Sequence, residues 1–267
     1  MVGKRKNGRK FDELRPMSAK VGIIPNADGS AMFSFGKTVA IAAVYGPRLL
    51  HPQHMQNPET GILRVNYDLL SFSVEDRKKP GPSRRSQEIS KVTEMALLPA
   101  LDIKEFKNTV IDVQIYILQA NAGTRTAGIN AASMALANAG LPMKSLVTSV
   151  AAGKLDKDLV LDVDDEEEHF EEGEGSTDFP MAKIYGTEDY TLMQMDGKLQ
   201  PELMSKAMDM ADKAFDQIYE VQKKALKEYV SEGDEKWVAW RLPTLQETPL
   251  ERCLLKEKDS TEEDYLN

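Results

Sequence analysis

Cysteine is almost absent from this chain. Of its 267 residues only Cys253 is a thiol, which excludes an internal disulfide framework and any cysteine-rich zinc site. Histidine is nearly as scarce, with three in all. His51 and His54 stand at ligand-like spacing, but no cysteine and no nearby third histidine joins them, so they read as loop residues. No apolar run approaches the roughly 18 residues that a membrane-spanning helix needs. The basic opening Met1-Val2-Gly3-Lys4-Arg5-Lys6 leads into no apolar stretch of the kind a secretory signal carries. The expectation from these absences is a cytoplasmic protein with no membrane partner. What is present is ordinary for a globular protein, 41% apolar and 29% charged residues, and the length allows one large domain or two small ones.

Charge is scarce in one sign only locally. Lys and Arg number 34 against 43 Asp and Glu, a formal charge of −9. Nine of the acidic residues, and no Lys or Arg, fall within residues 162–174, so the rest of the chain sums to zero. Residues 1–20 hold seven basic and two acidic side chains, and residues 75–91 hold six and three, including Arg77-Lys78-Lys79 and Arg84-Arg85. An acidic balance disfavours nucleic-acid binding through bulk charge, yet a local basic cluster can still grip a phosphate backbone. Taken alone, both charge runs read as solvated loops.

Periodicity divides the chain into strands and helices without strict alternation, which favours an α+β fold over a doubly wound parallel sheet. Strands are expected at residues 21–24, 31–35, 38–45, 62–73 and 108–118. In the last of these Ile111, Val113, Ile115 and Ile117 alternate with polar or amphipathic residues. A helix is expected over 83–98. Another, built of small residues including Ala127, Gly128, Ala131, Ala132 and Ala135, follows Gly123 and closes at Gly140; such a helix can lie very close to a sheet. Further strands are expected at 146–152, 159–163, 179–185 and 190–195. A long amphipathic helix spans about 200–229, its apolar stripe running from Met204 through Phe215 and Ile218 to Tyr229. Residues 1–230 form the folded domain, with two sub-halves meeting near 145. The acidic segment 231–267, which carries both tryptophans, reads as a mobile appendage.

Three places carry chemistry. Gly123-Thr124-Arg125 lies where a strand gives way to a helix, so free backbone N–H groups, a helix dipole and an arginine fork converge on a spot suited to an anion. Arg84-Arg85 opens another helix, where cations oppose the dipole unless an anion sits between them. Asp178 enters an apolar strand; it is either turn chemistry or a carboxylate that acts as a general acid or holds Mg²⁺.

Taken together, several longer motifs resemble the RNase PH family, and within it the catalytic ring subunits of archaeal exosomes. They are Gly8-Arg9-Lys10-Phe11-Asp12-Glu13-Leu14-Arg15-Pro16, Asn26-Ala27-Asp28-Gly29-Ser30, and Ala42-Ala43-Val44-Tyr45-Gly46-Pro47-Arg48. The stretch from Phe72 through Pro80-Gly81-Pro82-Ser83-Arg84-Arg85-Ser86 follows, then Leu118-Gln119-Ala120-Asn121-Ala122-Gly123-Thr124-Arg125, and Leu192-Met193-Gln194-Met195-Asp196-Gly197. The match spans roughly residues 8–230, in order. The resemblance implies an RNase PH-like fold of two βαβα-like halves, with mixed sheets packed on helices. It implies 3′→5′ phosphorolysis of single-stranded RNA, with inorganic phosphate as co-substrate, nucleoside diphosphates as products and Mg²⁺ as cofactor. It also implies an inactive RNase PH-type homologue as partner in a hexameric 3:3 ring, with RNA-binding cap subunits. By the same resemblance Gly123, Thr124 and Arg125 hold phosphate, and Arg84 and Arg85 hold the RNA backbone. Tyr67 lies along the RNA path, where its ring stacks on a base, and Asp178 is the catalytic carboxylate or metal anchor.

Three departures accompany the match. Asn121 stands where the family often has Asp. Asn66 and Asp68 flank Tyr67 where basic or His residues are common. The family's second carboxylate, six residues before the catalytic one, falls in an expanded acidic stretch; Glu168, Glu172 and Glu174 are candidates, with Glu172 favoured by its spacing. Two alternatives stay open from sequence: a non-catalytic RNA-binding ring scaffold, and a tRNA 3′-end trimming enzyme of the RNase PH type.

Overall fold

A computed structural model describes residues 5, 7–156, 158–170 and 175–232. Glu172 and Glu174, and the segment from 233 onward, lie outside the described residues. The first sheet contains β1 (Met17–Val21), β2 (Gly29–Phe35), β3 (Thr38–Leu49), β4 (Ile62–Leu69) and β5 (Thr109–Gln119), in the order β1-β2-β3-β5-β4. Neighbours are antiparallel except β4, which runs parallel to β5 and reaches it through helix α1 (Arg84–Leu97). Ile111, Val113, Ile115 and Ile117 of β5 are buried, as their alternation requires. Strand β1 lies four residues upstream of the expected one, because Gly22, at φ +70°, turns the chain away after Val21. Strand β3 runs past Gly46-Pro47, where a stop was expected. Its pairing with β2 has already ended at Val44, and the register against β5 shifts between Tyr45 and Arg48, so a residue without an N–H is accommodated.

The second sheet is antiparallel, in the order β7-β6-β8-β9, from β6 (Val147–Leu155), β7 (Asp158–Leu161), β8 (Ser176–Ile184) and β9 (Tyr190–Met193). Between the two sheets runs α2 (Thr124–Asn138), which touches β2, β3 and β5 on one side and β6 and β8 on the other. Its side chains are small because both sheets crowd it. A Cβ on Gly128 would come within 3.2 Å of Ile115 and 3.5 Å of the Tyr67 ring. Its one interior amide, Asn130, is matched by an edge of the sheet: Asn130 Nδ2 donates to the Ser149 carbonyl and Ser149 N–H donates to Asn130 Oδ1, both at 2.8 Å. The long helix α4 (Pro201–Glu232) covers the other face of the second sheet and packs against β1. Its buried Ala207, Ala211, Phe215 and Ile218 are joined by Gln222, which reaches Asn130 Oδ1 at 3.2 Å. Among the described residues no helix is long and apolar enough to cross a membrane.

Among the described residues, part of the N-terminal basic run and part of the acidic run are not solvated loops; they pair with each other. Arg5 donates to Glu167 Oε1 at 2.6 Å and forks onto its second oxygen, and it also caps the Leu161 carbonyl at 2.6 Å. Arg15 forks onto Asp162 at 2.6 and 2.8 Å, and its backbone N–H donates to the same carboxylate at 2.7 Å. Arg9 spans Asp162 and Asp164. The acids themselves form a short helix, α3 (Asp165–Glu168), opened by a reciprocal capping box between Asp164 and Glu167. Sequence spacing alone does not reveal this pairing, since opposite signs 147 residues apart need not meet.

Helix α2 lies tight against β2 at Gly29, where an added Cβ would sit 2.3 Å from the Ala135 carbonyl oxygen and 2.4 Å from Ala139 N. Both are backbone atoms and cannot swing aside. Gly29→Ala is expected to lower unfolding free energy by about 2–3 kcal/mol, the upper range for overpacking. Urea denaturation followed by circular dichroism measures it, and an unchanged midpoint would show that α2 can shift relative to β2.

Candidate active site

The N-terminus of α2 opens into a cavity of about 600 Å³ between the two sheets. Gly123 is the N-cap, in the left-handed region at φ 62°, and provides no side-chain cap. Ala122 before it is also left-handed, at φ 53°, a conformation that costs a non-glycine residue about 1–2 kcal/mol. The strain is held from behind. Thr38 Oγ1 lies 2.9 Å from the Asn121 carbonyl oxygen and 2.7 Å from that of Ala122, and Arg15 Nη1 donates to the Asn121 carbonyl at 2.5 Å. With the carbonyls drawn backward, the first-turn amides of α2 face the cavity with no intrahelical acceptor, an anion site built from backbone.

Arg125 extends from that turn. Its Nη1 donates to Gln194 Oε1 at 2.5 Å, its Nη2 lies 3.6 Å from Glu88, and its Nε is buried with no hydrogen-bond partner. Arg85 enters the cavity from the first turn of α1, whose N-cap Ser83 forms a capping box with Ser86. Lys78 lines the same wall and pairs with Asp68 at 2.6 Å. Arg84 is exposed and does not line the cavity.

Asp178 faces these cations from inside β8, where its backbone exchanges hydrogen bonds with Asp196 at 2.9 and 2.8 Å. Its carboxyl is raised from 3.8 to about 6, chiefly by burial; Glu168 and Asp196 contribute to the rise, and Arg125 and Arg85 oppose it. Glu168 also lines the cavity, at the end of α3. Of the three candidates for a second carboxylate it is the one within the described residues. The capping-box pattern Asp164-x-x-Glu167 was the signal by which α3, and so the position of Glu168, could have been found.

Among the described residues no group of three or more His, Cys, Asp and Glu is placed to hold a metal ion. Of the carboxylates that line the cavity, Asp178 and Glu168, which act on each other electrostatically, fit a different demand. Mg²⁺ keeps several of its waters and is bound through one or two carboxylates together with substrate phosphates.

Tyr67 requires a correction. It is 3% exposed, packed with Leu63 and Val65 on the buried face of β4 beneath Gly128 of α2. Its hydroxyl is raised to about 12, chiefly by burial. A ring enclosed in this way cannot stack on a base; Asn66 and Asp68 flank it on the opposite face of the strand.

Residues 13–142 match the 3′ exoribonuclease family, domain 1, and residues 145–214 match domain 2 of the same family. Exosome complex component Rrp41 of Thermococcus kodakarensis is 54% identical over 226 residues, which are 85% of this chain and 89% of that one. The component of the same name from Archaeoglobus fulgidus is 46% identical over 237 residues, covering 87% of this chain and 90% of the relative. Among solved structures, rice Rrp46 superposes with a TM-score of 0.74 at 22% identity, over 84% of this chain and all of that one. A chain of the Archaeoglobus fulgidus exosome with RNA bound to the active site superposes at 0.69 and 23% identity, over 81% of this chain and 92% of its own. These superpositions share the α+β architecture of two sheets around a central helix.

The raised carboxyl of Asp178 has a consequence for stability. Between its ordinary value and about 6 the folded state holds the proton that the unfolded state has lost, so stability falls as pH rises through that window. Asp178→Asn removes the buried charge. The variant is expected to be more stable than the parent at pH 7, with the advantage vanishing below about pH 4. Thermal melts at the two pH values check this, and equal gains at both would assign the effect to packing.

Proposed function

The chain belongs to the 3′ exoribonuclease family, and from that membership we propose that it is the phosphorolytic, catalytic subunit of an archaeal-type exosome ring. The observation that carries the reading is one cavity with two cationic sides and a carboxyl between them. Arg125 and the α2 amides form one side, Arg85 and Lys78 the other, and Asp178 faces both.

Inorganic phosphate binds the α2 N-terminus, with Thr124 adding its hydroxyl and Arg125 its fork. Arg85 and Lys78 hold the terminal phosphodiester of single-stranded RNA, and Arg84 on the exposed flank of α1 meets the backbone further out. Bringing two anions within reaction distance is the main obstacle, and cations fixed before the substrates arrive reduce it. A phosphate oxygen attacks the terminal phosphorus. The bond to the preceding 3′ oxygen breaks, that oxygen takes a proton from Asp178, and a nucleoside diphosphate leaves. Glu168, and Asp178 when ionised instead of acting as the acid, are the residues that would hold Mg²⁺, which supplies charge neutralisation on the transferring phosphoryl group when bound.

A mixed 3:3 ring with an inactive homologue, capped by RNA-binding subunits, fits the relatives' designation as exosome components. One organism, Archaeoglobus fulgidus, contributes both a relative 46% identical to this chain and an exosome chain 23% identical to it. Two diverged chains of one fold in one organism are what a mixed ring requires.

The test is degradation of 3′-labelled single-stranded RNA by the full chain assembled with its homologue, with and without inorganic phosphate. Nucleoside diphosphates formed only with phosphate are expected. Nucleoside monophosphates formed regardless of phosphate would overturn phosphorolysis, and an inert assembled ring would move the reading to a scaffold. Asp178→Asn is expected to cost at least about 100-fold in turnover. If the protonated carboxyl is the working form, kcat falls about tenfold per pH unit above about 6, the value to which Asp178 is raised. A rate that instead rises through pH 6 would identify the ionised form, as a metal ligand, as the one required.

A further inference from the structure

Gln194 stands just beyond β9, half-buried, with its backbone N–H on the Pro180 carbonyl at 3.1 Å, two residues from Asp178. Its side-chain amide is used at both ends. The oxygen accepts from Arg125 Nη1 at 2.5 Å, and the nitrogen donates to Glu88 Oε1 at 2.8 Å. Glu88 is on α1, one turn after Arg84 and Arg85, and its carboxylate is held 3.6 Å from Arg125. The amide therefore links the two cationic sides of the cavity, and it takes up the hydrogen bonds of both Arg125 and Glu88, which are left with only a loose 3.6 Å ion-pair contact between them.

The choice of an amide is chemically specific. An uncharged oxygen orients the guanidinium without cancelling its charge, whereas a carboxylate in that position would form an ion pair and compete with any anion. The amide nitrogen also satisfies Glu88, which is 48% exposed on its side chain, against 20% for Arg125. Without that donor Arg125, already 3.6 Å away, is a cationic donor for Glu88 to turn to. The buried Nε of Arg125 has no partner in this arrangement, so the fork retains capacity for a further acceptor.

We propose that Gln194 is a positioning residue that keeps Arg125 oriented for inorganic phosphate and holds its pairing with Glu88 to the loose 3.6 Å contact, short of a direct hydrogen bond. This rests on the reading of Arg125 as the phosphate clamp. It predicts that the cost of altering Gln194 is imposed by Glu88, and that removing the Glu88 charge relieves it.

Four forms of the full chain, each assembled with its ring partner, test this: parent, Gln194→Glu, Gln194→Leu, and Gln194→Leu combined with Glu88→Gln. The measurements are KM for phosphate and kcat at saturating phosphate in RNA degradation, with calorimetric titration of inorganic phosphate alongside. Both single variants are expected to raise KM for phosphate by about tenfold or more, the scale of one charge-assisted hydrogen bond, with kcat changed by less than about threefold. The double variant is expected to return KM to within about threefold of the parent, a rescue that loss of packing alone would not produce. Parental KM in both single variants, or a double variant no better than Gln194→Leu, overturns the proposal. A parent ring that degrades RNA equally well without phosphate overturns instead the phosphorolytic reading on which it rests.

Discussion

Enclosure of α2 between the two sheets determines where every other part of the cavity stands. A helix with no solvent face cannot slide or roll without opening voids on both sides. Its N-terminal amides therefore point at one fixed spot. The sheets come close because the helix presents Gly128 and a row of alanines, and they are kept in register by Asn130, whose amide completes the hydrogen bonding of Ser149. The same enclosure brings β8 of one sheet opposite α1 of the other half, so Asp178 and Arg85 face each other although 93 positions separate them.

Around this helix the charges are sorted by burial. Arg5, Arg9 and Arg15 are committed to Asp162, Asp164 and Glu167, and they use carbonyl oxygens for their remaining donors. A buried pair of this kind adds little net stability while intact, yet it is costly to break from one side. Its value here is geometric, because Arg15 also holds the Asn121 carbonyl behind the left-handed turn. The cations that face the cavity differ in kind. Arg85 sits exposed at a helix start, and Arg125 is bonded to a neutral amide and only loosely to an acid.

Much of the fold was legible because periodicity is a local property. The alternation in β5, the small-residue run of α2 and the stripe of α4 each identify their element without reference to any other. Gly123-Thr124-Arg125 was legible for the same reason: a helix start needs only its own neighbours. Tyr67 shows how a signal can be present and still be read the wrong way, since it alternates with Leu63 and Val65 and so shares their buried face. The pairing of residues 5–15 with 162–167 was not legible, because complementary sign does not specify which partner is met. Helix α3 is four residues long, too short for periodicity to register inside a run of acids. Gln194 looks unremarkable in one dimension; its role depends on three elements meeting at one amide.

The clasp between the N-terminal arginines and the acidic segment also constrains the order in which the protein can be made. Arg15 meets Asp162 across 147 residues and Arg5 meets Glu167 across 162. During synthesis at roughly 5–20 residues per second, the first sheet and α2 leave the ribosome before the strands that cover the other side of that helix, β6 following within about two seconds and β8 within several. Until β6 and β8 arrive, an apolar helix face lies open, and the left-handed turn lacks the Asp162 that steadies Arg15. The anion site is therefore a late product of folding. Contacts of such long range slow the search for the native state, so the newly made chain passes through an interval with an exposed core and no working cavity.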